Sequence, residues 1–357
     1  MGLEDILRDM VRLGASDVHI ASDRHPSYRI LGQLKLNQGH SPMSTAELAS
    51  ALQRLLPAED CAAFEKDMEL DFALTLPGVS RFRGNAARER GNITLVFRRV
   101  LESVPTFDSL GLPDVCKQLA IKPKGLVVVT GITGSGKSTT LAAMIDYINS
   151  TTSRKIVTLE DPIEYLFKDK KSVIVQRQLG EDTHSFAAAL RHVLRQNPDV
   201  IMVGEMRDAD TVAAALTAGE TGTLVLATAH APSASQTIER LIDMFPPHHQ
   251  SQVRAQIASV LEAVLYQRLL PTADGMSRAP AIEVMLGTTA IRTLIRDGKF
   301  QQLYGTIQLA TSQGMRTLDQ ALLDLYKAKK ITLEKAVEQA AYPDQLAQEL
   351  RSIGVAL

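Results

Sequence analysis

Apolar positions along this chain follow two different patterns, and the pattern changes near residue 114. The first stretch opens with Ile6, Leu7, Met10, Val11 and Leu13 at helical spacing, set among Glu4, Asp5, Arg8, Asp9 and Arg12. That spacing predicts an amphipathic helix over Met1–Gly14. Short strands are expected at Ser16–Ala21, Tyr28–Leu31 and Gln33–Asn37. Ser44 and Glu47 have capping-box spacing, which starts a helix running to Leu56. Strand-like runs follow at Glu69–Leu76, Arg81–Ala87 and Asn92–Val100, with Pro77-Gly78 and Arg90-Gly91-Asn92 as turns between them.

Pro105, Gly111 and Pro113 mark Leu101–Pro113 as a linker. Beyond it, apolar runs at Leu126–Thr130, Lys155–Leu159, Val200–Val203 and Leu224–Thr228 alternate with helical segments at Ser138–Asn149, Ser185–Gln196 and Ala209–Ala218. This is the pattern of a mostly parallel sheet covered by helices on both faces. From Thr288 to about Leu350 the pattern is helical throughout. The fold class is therefore α/β. An α+β domain at 1–100 and a linker at 101–113 precede an α/β core at 114–287 and a helical region at 288–357.

Composition narrows the function classes. The chain has 357 residues, 45% of them hydrophobic, and a net charge of -1. That is ample for two or three cored domains. It also lacks the basic excess of most nucleic-acid binders. Cys61 and Cys116 are far apart and can build neither a disulfide framework nor a four-ligand zinc site. Both are expected to be small buried hydrophobes. No apolar stretch reaches the ~20 residues that span a bilayer. The N-terminus has no signal-peptide core, so a cytoplasmic protein without direct membrane insertion is expected. The run Lys168, Asp169, Lys170, Lys171 reads as a solvated turn.

Gly131-Ile132-Thr133-Gly134-Ser135-Gly136-Lys137-Ser138 is a complete P-loop between a strand and a helix. Glycines let backbone N–H groups wrap phosphates at the positive end of the following helix. Lys137 supplies a charge for the β- and γ-phosphates, and Ser138 a hydroxyl for Mg²⁺. Opposite the phosphates, Asp199–Glu205 reads as a strand that delivers Glu205 at its C-terminal end, the Walker-B position. A second acidic cluster, Glu160-Asp161-Pro162-Ile163-Glu164, follows another strand. One of these acids could polarise the attacking water; Glu160 or Asp161 could equally cap the Pro162 turn. His230 ends the strand Leu224–Thr228, as a γ-phosphate sensor or as a structural histidine.

These elements, in this order, resemble the secretion-ATPase superfamily, and within it the PilT-type pilus-retraction ATPases. The resemblance runs through Gly14–His19, Arg81–Ala86, Gly131–Thr140, Thr158–Tyr165, Pro198–Asp208, Thr228–His230 and Ala290–Arg296. It implies a PAS-like N-terminal domain and a RecA-like core. It implies ATP and Mg²⁺ as ligands, with Gly131, Thr133, Gly134, Ser135, Gly136, Lys137, Ser138 and Thr139 around the phosphates and Ser138 and Glu205 at the metal. It makes Glu164 the catalytic base, Glu205 the Walker-B acid and His230 the His-box residue. Arg81 and Arg83 would reach nucleotide held by a neighbouring subunit; their ordinary alternative is an exposed strand face. The implied assembly is a homohexamer on an inner-membrane pilus platform protein, acting indirectly on pilin and peripheral to that membrane. Thr223 stands where the family usually has His and cannot carry a positive charge. Gln196-Asn197, Thr293 and Asp297 are further departures.

The implied function is a motor that retracts type IV pili. A pilus-extension or type II secretion ATPase is the alternative, but those relatives carry a four-cysteine insert, and Gln267 to Glu283 contains no Cys. A nucleic-acid translocase fits poorly with 4% aromatic residues and no Trp. A small-molecule kinase would leave the N-terminal domain and helical tail without a role. Ile291, Leu294 and Ile295 form one apolar face of a short helix, with Arg292, Arg296 and Asp297 away from it. That segment either couples hydrolysis to retraction or simply packs the C-terminal helices.

Overall fold

The computed structural model describes residues 2–30, 32–100 and 104–352. The chain divides into two compact units, Met1–Ser103 with Glu164–Leu166, and Val104–Ile163 with Phe167–Leu357. The helices after residue 288 thus belong to the second unit.

In the first unit, α1 (Leu3–Arg12) buries Leu3, Ile6, Leu7 and Met10. Leu13, expected on the same face, is 39% exposed because the helix stops at Arg12. Strands β1 (Asp17–Ala21), β2 (Ser27–Ile30) and β3 (Gln33–Leu36) follow. Leu31, the expected end of the second, lies outside the described residues. Helix α2 (Thr45–Leu55) starts at the capping box: Glu47 N–H donates to Ser44 Oγ (3.3 Å) and Ser44 N–H to Glu47 Oε2 (2.7 Å). Helix α3 (Ala58–Asp67) has no counterpart in the sequence reading; Phe64 is its one buried side chain, so it shows no apolar stripe. Then come β4 (Glu69–Leu76), β5 (Ser80–Glu89) and β6 (Asn92–Val100).

The six strands form an antiparallel sheet in the order β3-β2-β1-β6-β5-β4. Phe72, Leu74, Phe82, Leu95 and Phe97 alternate onto one face and share a core with α1 and α2. The β5–β6 hairpin turns at Arg90 and Gly91, both at positive φ (53° and 83°), which suits a two-residue turn between right-twisted strands. Gly84 is required by packing. A Cβ there would lie 2.2 Å from the Phe72 ring.

Of the expected linker, residues 101–103 lie outside the described set. The rest is not merely extended chain: α4 (Phe107–Leu110) is a single turn whose N-cap Thr106 accepts from Ser109 N–H. Phe107 is buried edge-on to Tyr147, ring centres 5.3 Å apart, so burial holds a segment that its prolines mark as irregular. The second unit continues through α5 (Val115–Ala120), β7 (Gly125–Thr130), α6 (Lys137–Thr151), β8 (Lys155–Glu160) and β9 (Val173–Gln178). Next are α7 (Phe186–Val193), β10 (Val200–Val203), α8 (Ala209–Glu220), β11 (Leu224–Ala229), α9 (Ala234–Asp243) and α10 (Pro247–Val260). The hairpin β12 (Leu261–Pro271) and β13 (Arg278–Leu286) precedes α11 (Thr289–Arg296), α12 (Leu303–Leu309), α13 (Leu318–Lys327), α14 (Leu333–Gln339) and α15 (Pro343–Ser352).

The strand order is β13-β12-β7-β11-β10-β8-β9, parallel except for β13 against β12. Val128, Val157 and Ile201 face helices α7 to α12, whereas Val127, Val129 and Ile156 face α4 to α6. With both faces covered, the central strands are unbroken apolar runs, and each buried Val or Ile contributes ~1.5–3 kcal/mol. Helices α13 to α15 form a further layer over Tyr266, Leu270 and Ala281 of the hairpin.

Cys116 is buried, and burial pushes its thiol up to about 12. Cys61 corrects the expectation of two interior cysteines, being only half-buried. Residues 168–171 are exposed, as expected of a solvated turn, and Asn149 holds them by accepting from Lys170 N–H and donating to Lys168 O. Among the described residues, no helix is long and apolar enough to cross a membrane.

Candidate functional site

The P-loop joins the C-terminal end of β7 to the N-terminus of α6. Gly131, Gly134 and Gly136 all adopt positive φ (146°, 78° and 88°), a region L side chains rarely enter. Space excludes side chains as well. A Cβ on Gly131 would lie 2.4 Å from the Gln267 carbonyl oxygen, and one on Gly136 2.8 Å from Gln267 Nε2. Gln267, from β12, also accepts from Thr140 Oγ at 2.7 Å. It is the floor of the loop, and no motif in the sequence announces it.

Lys137 is 8% exposed, and its Nζ donates to the carbonyls of Gly131 and Ile132, both at 3.0 Å. The ammonium is therefore held inside the loop at the first residue of a fifteen-residue helix. Ser135 Oγ is buried with no hydrogen-bond partner. A buried hydroxyl left without a partner is costly, and an anion in the loop would satisfy it. Ser138 follows in the first turn of α6.

Acidic and basic groups converge at the ends of the neighbouring strands. Glu205, just after β10, receives Arg207 Nε at Oε2 (2.8 Å) and faces His230 Nε2 from Oε1 (3.4 Å). Arg207 also reaches Asp161 Oδ2 at 3.5 Å. The backbone brings these groups into register. Gly204 N–H donates to the Leu159 carbonyl (2.7 Å), Met206 N–H to the Thr228 carbonyl (2.9 Å), and Thr228 Oγ bonds the Gly204 carbonyl. Ala231 N–H donates to Thr130 Oγ (3.1 Å), tying the segment after His230 to the strand that feeds the P-loop. Glu205, Arg207, His230 and Arg240 line a cavity of about 220 Å³.

The acids at the end of β8 and beyond it take different positions. Glu160 is buried; its Oε1 accepts from Thr158 Oγ (2.6 Å) and Gln176 Nε2 (3.1 Å). Glu164 is exposed, beyond the cis Asp161–Pro162 peptide. Arg81 and Arg83 stand half-buried on β5 in the first unit, on the sheet face that also carries Ala73, Thr75 and Arg98. Thr223 precedes β11, whose first residue Leu224 pairs with Gly125 at the start of β7. It therefore sits at the end of this sheet opposite the P-loop.

The segment 290–296 forms α11 as expected, with Ile291 and Ile295 fully buried. Arg292 departs from the expectation. Its guanidinium donates to the carbonyls of Gly287 (2.6 Å), Ala258 (2.8 Å) and Ser259 (2.5 Å), and pairs with Glu262 at 3.0 Å. It caps the C-terminus of α10, where a cation is favoured. Arg296 is exposed. Arg292→Glu should therefore cost ~3 kcal/mol or more, because it removes these bonds and faces Glu262 with a second carboxylate. For a unit of this size that lowers Tm by roughly 6–12 °C. Arg296→Glu should stay within ~0.5 kcal/mol of the parent. Thermal unfolding of the two variants checks this, and equal stabilities would refute the capping role.

The profile of the family described as "Type II/IV secretion system protein" matches residues 2–351. The chain is 41% identical over 344 residues to the type IV pilus retraction ATPase PilT of Pseudomonas aeruginosa, covering 96% of this chain and 99% of that one. It is 40% identical over 340 residues to the type IV pilus ATPase PilU of the same organism, covering 95% and 89%. Its fold is similar to the crystal structure of the pilus retraction motor PilT with bound ADP, with a TM-score of 0.90 at 43% identity over 98% of this chain and 99% of that chain.

Proposed function

The chain belongs to the type II/IV secretion system protein family, and on that premise we propose that it is an ATPase motor that drives retraction of type IV pili. The observation that carries this reading is that the P-loop, with its glycines at positive φ, and the paired Glu205 and His230 all follow the C-terminal ends of the neighbouring parallel strands β7, β10 and β11. In this reading the first unit is PAS-like and the second is built on a RecA-like core. The loop backbone, Thr133, Ser135 and Thr139 surround the phosphates, and Lys137 places its charge on the β- and γ-phosphates.

Ser138 and, through water, Glu205 would hold Mg²⁺, which would supply positive charge to offset that of the phosphates. The donor set suits that ion, since Mg²⁺ in nucleotide sites takes few protein ligands and keeps several waters. Glu164 takes a proton from the attacking water; its solvent access suits that role better than Glu160, whose oxygen already accepts two bonds. His230, within 3.4 Å of Glu205, reports on the γ-phosphate.

The working form is a homohexamer in which Arg81 and Arg83 of one subunit complete the site of the next. Its partner is an inner-membrane platform protein, and pilin is moved through it. The protein works on the cytoplasmic side without inserting into the membrane. Against an extension or type II secretion ATPase stands the bare 272–277 turn between β12 and β13, in a chain whose two cysteines, Cys61 and Cys116, lie elsewhere.

Arginines supplied from a neighbour can raise turnover by ~10³ or more. Specific ATPase activity should therefore fall at least roughly tenfold as the protein is diluted from ring to monomer, with mass measurement reporting the oligomer. Constant activity down to demonstrably monomeric protein would sink the trans-completed site.

A further inference from the structure

Glu283, on β13, lies outside the nucleotide site and is 3% exposed. Its two carboxylate oxygens serve two different helices. Oε1 accepts from Ala234 N–H, the first residue of α9, at 2.7 Å. Oε2 accepts from Leu318 N–H, the first residue of α13, at 3.3 Å. A carboxylate shared between two helix N-termini meets both unsatisfied amides and both positive dipole ends. Burial pushes the carboxyl up from its ordinary range, and the two backbone donors hold it down.

The two helices lead in different directions. Ala234 lies four residues past His230, in the segment whose Ala231 is bonded to Thr130 at the mouth of the P-loop. Leu318 adjoins Asp319, itself buried, whose oxygens accept from Ala341 N–H (2.6 Å) and Tyr342 N–H (2.9 Å) just before α15. Hydrogen bonds joined by two short stretches of backbone, 231–234 and 318–319, thus lead from Thr130, just before the P-loop, through Glu283 to the segment before α15.

We infer that Glu283 is a positioning residue that couples the segment 228–234, bonded to the strand that feeds the P-loop, to the C-terminal helices α13 and α15. This rests on the proposed nucleotide site and goes beyond it by naming how its state reaches the far side of the unit. Each carboxylate oxygen holds one helix, so a shift of α9 changes the bond on α13 and the reverse. A glutamine at this position keeps the size but has one acceptor oxygen, and its amide group faces the other helix N–H with a second donor. The longer bond, to Leu318, is the one expected to break.

Hydrogen exchange read by mass spectrometry on the full chain, with and without Mg²⁺ and a non-hydrolysable ATP analogue, tests this. In the parent protein the analogue should slow exchange in 131–140 and change it at least ~threefold in 316–322, the scale of one hydrogen bond. In Glu283→Gln the response in 131–140 should persist and that in 316–322 should vanish. An unchanged response in 316–322 in the variant overturns the inference. So does a parent protein in which 131–140 responds and 316–322 does not, a result that needs no variant to fold. A parent protein with no response in 131–140 overturns the nucleotide site itself.

Discussion

Lys137→Ala is expected to abolish ATP binding at working concentrations and, with it, measurable hydrolysis. The side chain is buried at the start of α6 and held by the Gly131 and Ile132 carbonyls. It thus places a positive charge in a loop otherwise built of backbone amides. A hydrogen bond to a charged group contributes ~1.5–3 kcal/mol, and bonds to two phosphates would both be lost, so affinity should fall by roughly 100-fold or more. The fold should survive, because alanine favours the helix. Titration with a fluorescent nucleotide, together with phosphate release, reads both effects. Parent-like affinity in the variant would remove Lys137 from the phosphate site.

The second large effect is expected at Glu164, with the opposite signature. Glu164→Gln should bind ATP within about threefold of the parent, yet turn over ~10²–10⁴ more slowly, the usual contribution of a general base. Bound ATP should therefore accumulate unhydrolysed. The control is Glu160→Gln. Glu160 accepts from Thr158 and Gln176 while buried, so its loss disturbs a packed polar group and should lower stability by ~1–3 kcal/mol. Steady-state kinetics, nucleotide affinity and thermal unfolding together separate the two residues. Near-normal turnover in Glu164→Gln would move the role to Glu160 or Glu205.

The parts of this protein legible in the sequence are those whose cause is local. The capping box at Ser44 and Glu47, the strands β4, β6 and β10, and the Arg90-Gly91 turn follow from residues within a few positions of one another. So does the P-loop, since positive φ at Gly131, Gly134 and Gly136 is a demand on the backbone itself. Helix α3 escaped because it buries one side chain and so shows no periodic face. Edge strand β9 escaped because its Val173 and Val175 are exposed and it lacks the apolar run of its neighbours.

Residues whose role depends on distant partners were misread or unseen. Arg292 has the spacing of an exposed helix position, yet it caps a helix that ends some thirty residues earlier. Gln267 floors the P-loop from a strand 127 residues beyond Thr140. Glu283 joins two helices that begin on either side of it, 49 residues earlier and 35 residues later. By itself the sequence carried the family resemblance in its short motifs, and it determined the phosphate loop and the α/β alternation, because backbone conformation and hydrophobic period are written over short spans. Only the tertiary structure decided which polar side chains meet, because strand order sets hydrogen-bond partners across the sheet and leaves no periodic trace along the chain.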